Sequence, residues 1–254
     1  MKQYFFLSGL PRSGNTLLSS ILNENKNILA TGQSIFPSIF YDLQTITQKN
    51  DVYTNYPQDE RFETFYKNLF NNFFVNDKQN FIIQRGEFIT PINLQNLKDY
   101  CPNDIKIVIL VRDVVDVLKS FINHSFTHKN YYLNKFKTND EKAKFLMEEH
   151  PYINLILESI KILIDSNEIK NYLIIEYDEF ISNPKVYLKK IYSYYEINYF
   201  EHNLNKINQL EGYKDYLYNH DLHKIKKTIV KNNYNVELSE HVLDKYSKFN
   251  FWRL

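Results

Sequence analysis

The feature that most narrows what this chain can fold into is a glycine-bracketed turn near its start, Gly9-Leu10-Pro11-Arg12-Ser13-Gly14-Asn15-Thr16. Only 5 of the 254 residues are glycine, and two of them bracket this turn, so its backbone conformation is a specified feature. Residues 3–8 (Gln-Tyr-Phe-Phe-Leu-Ser) form an almost continuous apolar run, as a strand buried on both faces requires. Thr16 to Leu22 then follows helical spacing. In a strand, glycine loop and helix, the amides from Arg12 to Thr16 turn inward at the positive end of the helix and can hold an anion. The spacing of Gly9, Gly14 and Thr16 matches the triphosphate-binding pattern G-x-x-x-x-G-K-[ST], but Asn15 stands where that pattern has lysine. A magnesium-bound triphosphate needs that lysine at its β and γ oxygens. Here the cation of the loop is Arg12, inside the arch, which suits a smaller anion with a bridging oxygen. The bland alternative, a tight turn that merely contains Pro, Gly and Ser, is opposed by the strand before it and the helix after it.

Further buried-strand runs occur at Phe81 to Gln84, Ile105 to Val111 and Tyr172 to Glu176, each followed by a helical segment. Helices are expected to begin near Asn93, Val114 and Pro184, the last with Asn183 as N-cap and proline at the first helical position. A helix over 151–166 precedes the last of these strands. Alternating strands and helices predict an α/β fold of the phosphate-loop type, three-layer α/β/α with a central parallel sheet and helical insertions, as one domain over 1–254. Segments 34–80 and 126–150 have no clean period and read as helical or loop insertions over one face of the sheet.

The strand ending at Val111 runs into Arg112-Asp113-Val114-Val115-Asp116-Val117-Leu118-Lys119-Ser120. An arginine at the carboxyl end of a strand and a serine two turns along the next helix can face one ligand at a sheet crevice. Taken alone the pattern is weak: Asp113 is equally an N-cap, or a magnesium carboxylate in a phosphotransferase.

Gly9 to Leu18 resembles the 5′-phosphosulfate loop of the sulfotransferases, in the bacterial and protein-tyrosine-type branch that has Pro-Arg-Ser-Gly where cytosolic members have Pro-Lys-Ser-Gly. The resemblance extends to Arg112 and Ser120, whose counterparts hold the 3′-phosphate. It extends also to Leu173 to Pro184, similar to a Tyr-Glu-Asp segment whose tyrosine lies near the adenine, here Tyr177, and more loosely to 218–225 and 246–252. It implies that 3′-phosphoadenosine 5′-phosphosulfate is the cosubstrate and adenosine 3′,5′-bisphosphate the product, with no metal required. Arg12 then supports the bridging oxygen, and Ser13, Gly14, Asn15, Thr16 and Leu17 form the cradle for the 5′-phosphate. The Arg-Lys-Gly motif of cytosolic members is absent, and Lys226 and Lys227 are either its substitute or a solvated helix face.

The general base is the least determined element. Cytosolic members use a histidine after a central strand, and protein-tyrosine members a glutamate after the first helix. This chain has Thr31-Gly32-Gln33-Ser34 in the latter region, so Glu87 is the first choice for the base, with Arg85 as a second electrophile. His124, His128 and His223 read as ordinary histidines. The first two, at i and i+4, lack the third ligand a metal site needs, so no metal is expected. The alternatives are a phosphate-loop kinase, which Asn15 opposes, and a nucleotide-binding module without turnover.

Composition limits the partners. A formal net charge of +1 gives no electrostatic footprint for nucleic acid. No apolar run reaches the roughly 20 residues of a membrane span. The one cysteine, Cys101, excludes an internal disulfide, and a cytoplasmic protein is expected. The acceptor is expected to be a small molecule or carbohydrate, with a peptide tyrosine as a further option. The aromatics Phe36, Phe40, Tyr41, Tyr131 and Tyr132 of the two insertions either line its pocket or pack the core.

Overall fold

The structure, a computed structural model, describes residues 2–129, 131–210 and 223–253. Five strands, β1 (Gln3–Gly9), β2 (Ile28–Ala30), β3 (Phe81–Arg85), β4 (Ile107–Val111) and β5 (Leu173–Glu176), form one sheet in the order β2-β3-β1-β4-β5. Every pairing is parallel. The helices are α1 (Asn15–Leu22), α2 (Phe36–Lys49), α3 (Asp51–Asn55), α4 (Asp59–Phe73), α5 (Pro91–Tyr100), α6 (Val114–Thr127), α7 (Asn139–Glu148), α8 (Pro151–Asp165), α9 (Tyr177–Ser182), α10 (Pro184–Tyr195) and α11 (Glu240–Ser247).

Strand pleat explains the layering. Successive side chains of β1 and β4 alternate between two apolar clusters: Tyr4, Phe6, Ile107, Ile109 and Val111 on one face, Phe5, Leu7, Val108 and Leu110 on the other. Both faces are therefore covered, which is why these strands read as unbroken apolar runs. The first face carries α2, α4, α5, α6, α7, α8 and α11; the second carries α1, α9 and α10. The expected α/β architecture with a parallel sheet is observed, and the segment 34–80 supplies α2, α3 and α4. Within it Phe36 stacks on Phe70 at 4.5 Å. Phe36, Phe40 and Tyr131 are core residues, whereas Tyr41 is exposed.

Two local expectations need correction. Asp113 caps α6, its side chain accepting from the amides of Val115 and Asp116, but Asn183 at the start of α10 makes no side-chain cap bond. The strand expected from residue 105 begins at Ile107. Among the described residues, no helix is long and apolar enough to cross a membrane. Much of the stretch 218–225, similar to sulfotransferases in sequence, falls outside the described residues.

Candidate nucleotide site

The phosphate loop leaves the carboxyl end of β1 at the centre of the sheet, where β3 flanks it on one side and β4 on the other. Ligands of open parallel sheets bind at such carboxyl ends, where successive connections diverge to opposite faces. The loop is built on positive φ angles: Gly9 at 137°, Arg12 at 64° and Gly14 at 85°. A Cβ on Gly9 would lie 2.0 Å from the Leu110 carbonyl oxygen, so only glycine lets β1 and β4 approach here. Arg12 is the non-glycine residue of the loop in this region, at a cost of about 1–2 kcal/mol, the kind of strain that functional sites retain.

The loop is braced from inside. The Ser13 hydroxyl, fully buried, donates to the Leu10 carbonyl, and its oxygen also lies 3.1 Å from the Leu110 carbonyl. The Asn15 amide nitrogen donates to the Leu10 carbonyl at 2.9 Å and to the Ser13 hydroxyl at 3.1 Å. The side chain in the position of the triphosphate lysine is thus turned inward to hold the arch closed. A ligand would meet Ser13 and Asn15 through their amides. Thr16 and Leu17 follow on the first turn of α1, both half-buried.

Arg12, Arg112 and Ser120 converge although 108 residues separate the first from the last. Arg12 Nε donates to Ser120 Oγ at 3.0 Å, and a terminal nitrogen of Arg112 donates to the Arg12 carbonyl at 3.2 Å. The Arg112 guanidinium lies 4.6 Å from the Tyr177 ring centroid, and that ring in turn covers Gly14, where an added Cβ would meet Tyr177 Cδ2 at 2.7 Å. Burial pushes the Tyr177 phenol up, with Arg112 opposing. Arg112 is 3% exposed, and its Nε has no partner. A buried guanidinium with an unused donor costs free energy unless an anion completes it.

A further side chain joins them that the sequence did not single out. Tyr234, from an irregular stretch before α11, lies with its hydroxyl 3.0 Å from Ser120 Oγ and its ring centroid 5.5 Å from the Arg112 guanidinium. Burial raises its pKa, but the Ser120 hydrogen bond, the charge and hydrogen bonding of Arg112 and the Arg12 charge outweigh that, and the net shift is downward. Lys226, weighed above for the missing phosphate-binding motif, donates to Asn232 on the surface.

Asn250, Trp252 and Arg253 fasten the two strand ends that present this site. Arg253 donates to both Glu176 oxygens and, at 2.8 Å, to Asp113 Oδ2. Trp252 Nε1 donates to Glu176 and Asn250 Nδ2 to Asp113. Asp113 therefore spends its oxygens on the cap of α6, Asn250 and Arg253, which opposes its assignment as a magnesium ligand.

The candidate base and second electrophile form a separate chain at the carboxyl end of β3. The register pairs Leu7 with Arg85, and the Gly86 amide donates to the Leu7 carbonyl at 3.0 Å, so this chain lies beside the loop. Arg85 donates to the Gly32 carbonyl at 2.9 Å and to Gln33 Oε1; Gln33 Nε2 donates to Glu87 Oε1 at 3.3 Å. Gln33 thus bridges Arg85 and Glu87. Elsewhere, the His124 and His128 rings stack at 3.9 Å, and among the described residues no group of three or more His, Cys, Asp or Glu side chains could hold a metal ion.

Fold and site together define an α/β protein with a glycine-bracketed loop at the carboxyl end of its central strand and no lysine at the triphosphate position. Residues 2–227 match the sulfotransferase domain family, and the chain belongs to that family. Among solved structures it is similar to the sulfotransferase domain from the Synechococcus PCC 7002 olefin synthase, at 14% identity and a TM-score of 0.58, covering 98% of this chain and 96% of that one. The sulfotransferase domain from the curacin biosynthetic pathway gives 14% identity and a TM-score of 0.57 over 98% and 92%. The sulfotransferase from Alicyclobacillus acidocaldarius gives 13% and 0.57 over 98% and 91%. At such identities the likeness establishes the fold. Comparison with curated proteins gives no match.

Proposed function

We propose that this chain transfers the sulfuryl group of 3′-phosphoadenosine 5′-phosphosulfate to an acceptor hydroxyl. The observation that carries the reading is the convergence of Arg12, Arg112 and Ser120 at the carboxyl ends of β1 and β4, with a buried Arg112 Nε still to be satisfied. The amides of Gly14 to Thr16 hold the 5′-phosphate at the start of α1, Arg112 and Ser120 hold the 3′-phosphate, and Tyr177 lies by the adenine.

The acceptor oxygen attacks sulfur in line. The bond from sulfur to the bridging oxygen breaks, and adenosine 3′,5′-bisphosphate leaves with both electrons of that bond. Arg12 stabilises the charge that develops on the bridging oxygen, and Glu87 takes the acceptor proton, oriented through Gln33. Arg85, bonded to the same glutamine, adds positive charge on the acceptor side. The 3′-phosphate contacts act on alignment, since that group is unchanged in the product. The acceptor is a small molecule or carbohydrate bearing a hydroxyl, and the protein acts in the cytoplasm as a single domain.

Two substitutions test these roles. Arg112→Ala should weaken adenosine 3′,5′-bisphosphate binding far more than ATP binding, and equal losses would remove the 3′-phosphate assignment. Glu87→Gln should lower turnover of the phosphosulfate with nucleotide affinity retained, and unchanged turnover would remove Glu87 as the base.

A further inference from the structure

We propose that Tyr234 is a third ligand of the 3′-phosphate, its hydroxyl donating a hydrogen bond to that group beside Arg112 and Ser120. The inference rests on the nucleotide reading above and assigns a residue from a stretch without helix or strand to the site's specificity.

The hydrogen-bond directions lead to it. Ser120 Oγ accepts from Arg12 Nε, so the serine proton is free to go to the Tyr234 oxygen 3.0 Å away. The phenol oxygen then acts as acceptor, and its own proton has an acceptor still to find. Arg112, 5.5 Å from the ring centroid, likewise keeps a buried Nε–H without a partner. Two donors with unmet demand, on a cation and a phenol that share one serine, describe a site for an anion with several acceptor oxygens. Tetrahedral phosphate has that shape and charge, and the 3′-phosphate is the anion that the Arg112–Ser120 pair is placed to hold.

The Tyr234 ring also fixes where Arg112 points. The guanidinium is flanked by Tyr177 at 4.6 Å and Tyr234 at 5.5 Å, two aromatic contacts that restrict its rotation. Hydroxyl and ring thus have separable effects. Removing the hydroxyl takes away one hydrogen bond to the phosphate; removing the ring also loosens Arg112.

The experiment compares adenosine 3′,5′-bisphosphate with adenosine 5′-monophosphate on wild type, Tyr234→Phe, Tyr234→Ala and Arg112→Ala, by titration calorimetry with thermal unfolding of each variant as a check on folding. Tyr234→Phe should lose about 10-fold in bisphosphate affinity, as expected for one hydrogen bond to a charged group, with monophosphate affinity within about 2-fold of wild type. Tyr234→Ala should lose more, again mainly for the bisphosphate. If Tyr234→Phe keeps the full wild-type preference while Arg112→Ala abolishes it, the 3′-phosphate site stands and Tyr234 is no part of it. Equal losses of both nucleotides in Tyr234→Phe would make the residue a structural support only. A wild type that does not distinguish the two nucleotides would overturn the underlying reading, and this inference with it.

Discussion

Replacing Arg253 with Ala would test whether Asn250, Trp252 and Arg253 hold the candidate nucleotide site in shape. The substitution removes hydrogen bonds from one guanidinium to Glu176 and Asp113, the residues adjoining Tyr177 and Arg112. Arg253 is 40% exposed, and its partners 25% and 22%, so the pairs are neither fully solvated nor fully buried. Exposed ion pairs contribute about 0–1 kcal/mol each, and well-formed hydrogen bonds to charged groups about 1.5–3 kcal/mol. Discounted for screening, two partly exposed pairs sum to about 2 kcal/mol. For a chain of this size that corresponds to a fall in Tm of about 4–8 °C. The same substitution frees the strand ends that carry Arg112 and Tyr177, so bisphosphate affinity should fall several-fold while Arg253→Lys, which keeps the charge but not the fork, restores only part of both. Differential scanning calorimetry and nucleotide titration read the two effects. An unchanged Tm in Arg253→Ala would refute the energetic estimate, and a lowered Tm with unchanged affinity would confine Arg253 to stability.

Two further outcomes follow from the geometry. Gly14→Ala should lower stability by at least about 1–2 kcal/mol, because alanine is strained at a φ of 85°, and should weaken nucleotide binding, because its Cβ displaces the Tyr177 ring from Arg112; calorimetry indistinguishable from wild type would contradict this. Alkaline pH should unfold the protein through its tyrosines. Tyr4, Tyr66, Tyr172 and Tyr192 are each pushed up by burial from 10.0 to about 12. A folded-state pKa above the unfolded value contributes stability that is present below about 10 and lost as pH rises towards about 12, so Tm should fall across that window; a flat Tm there would refute it.

The features of the fold and site legible in the sequence are those carried by local pattern. Strands covered on both faces show as unbroken apolar runs, so four of the five were readable, whereas β2, with only the three residues Ile28–Ala30, is too short to leave a period. The loop announced itself because Gly9 and Gly14 meet backbone demands that few residue types satisfy. The positions of Arg112 after a strand and Ser120 on the next helix were readable, but the pattern alone was weak, and it was the family resemblance that joined them in one site. Tyr234 and Arg253 were not readable: each acts through contacts more than 70 residues away in sequence, one from an irregular stretch and one from a short 3-10 turn, and neither position has a periodicity to mark it. Among 21 tyrosines, nothing local distinguishes position 234. The inward role of Asn15 was hidden for a different reason: its partner, the Leu10 carbonyl, is near in sequence, but the direction of the side chain is set by the closed shape of the arch, which no local pattern records.

The most direct test of the central claim is calorimetric titration of the purified protein, without magnesium, with adenosine 3′,5′-bisphosphate and separately with ATP. A sulfotransferase-type site built on Arg12, Arg112 and Ser120 predicts tight binding of the bisphosphate and much weaker binding of ATP; a preference for ATP, strengthened on adding magnesium, would contradict it.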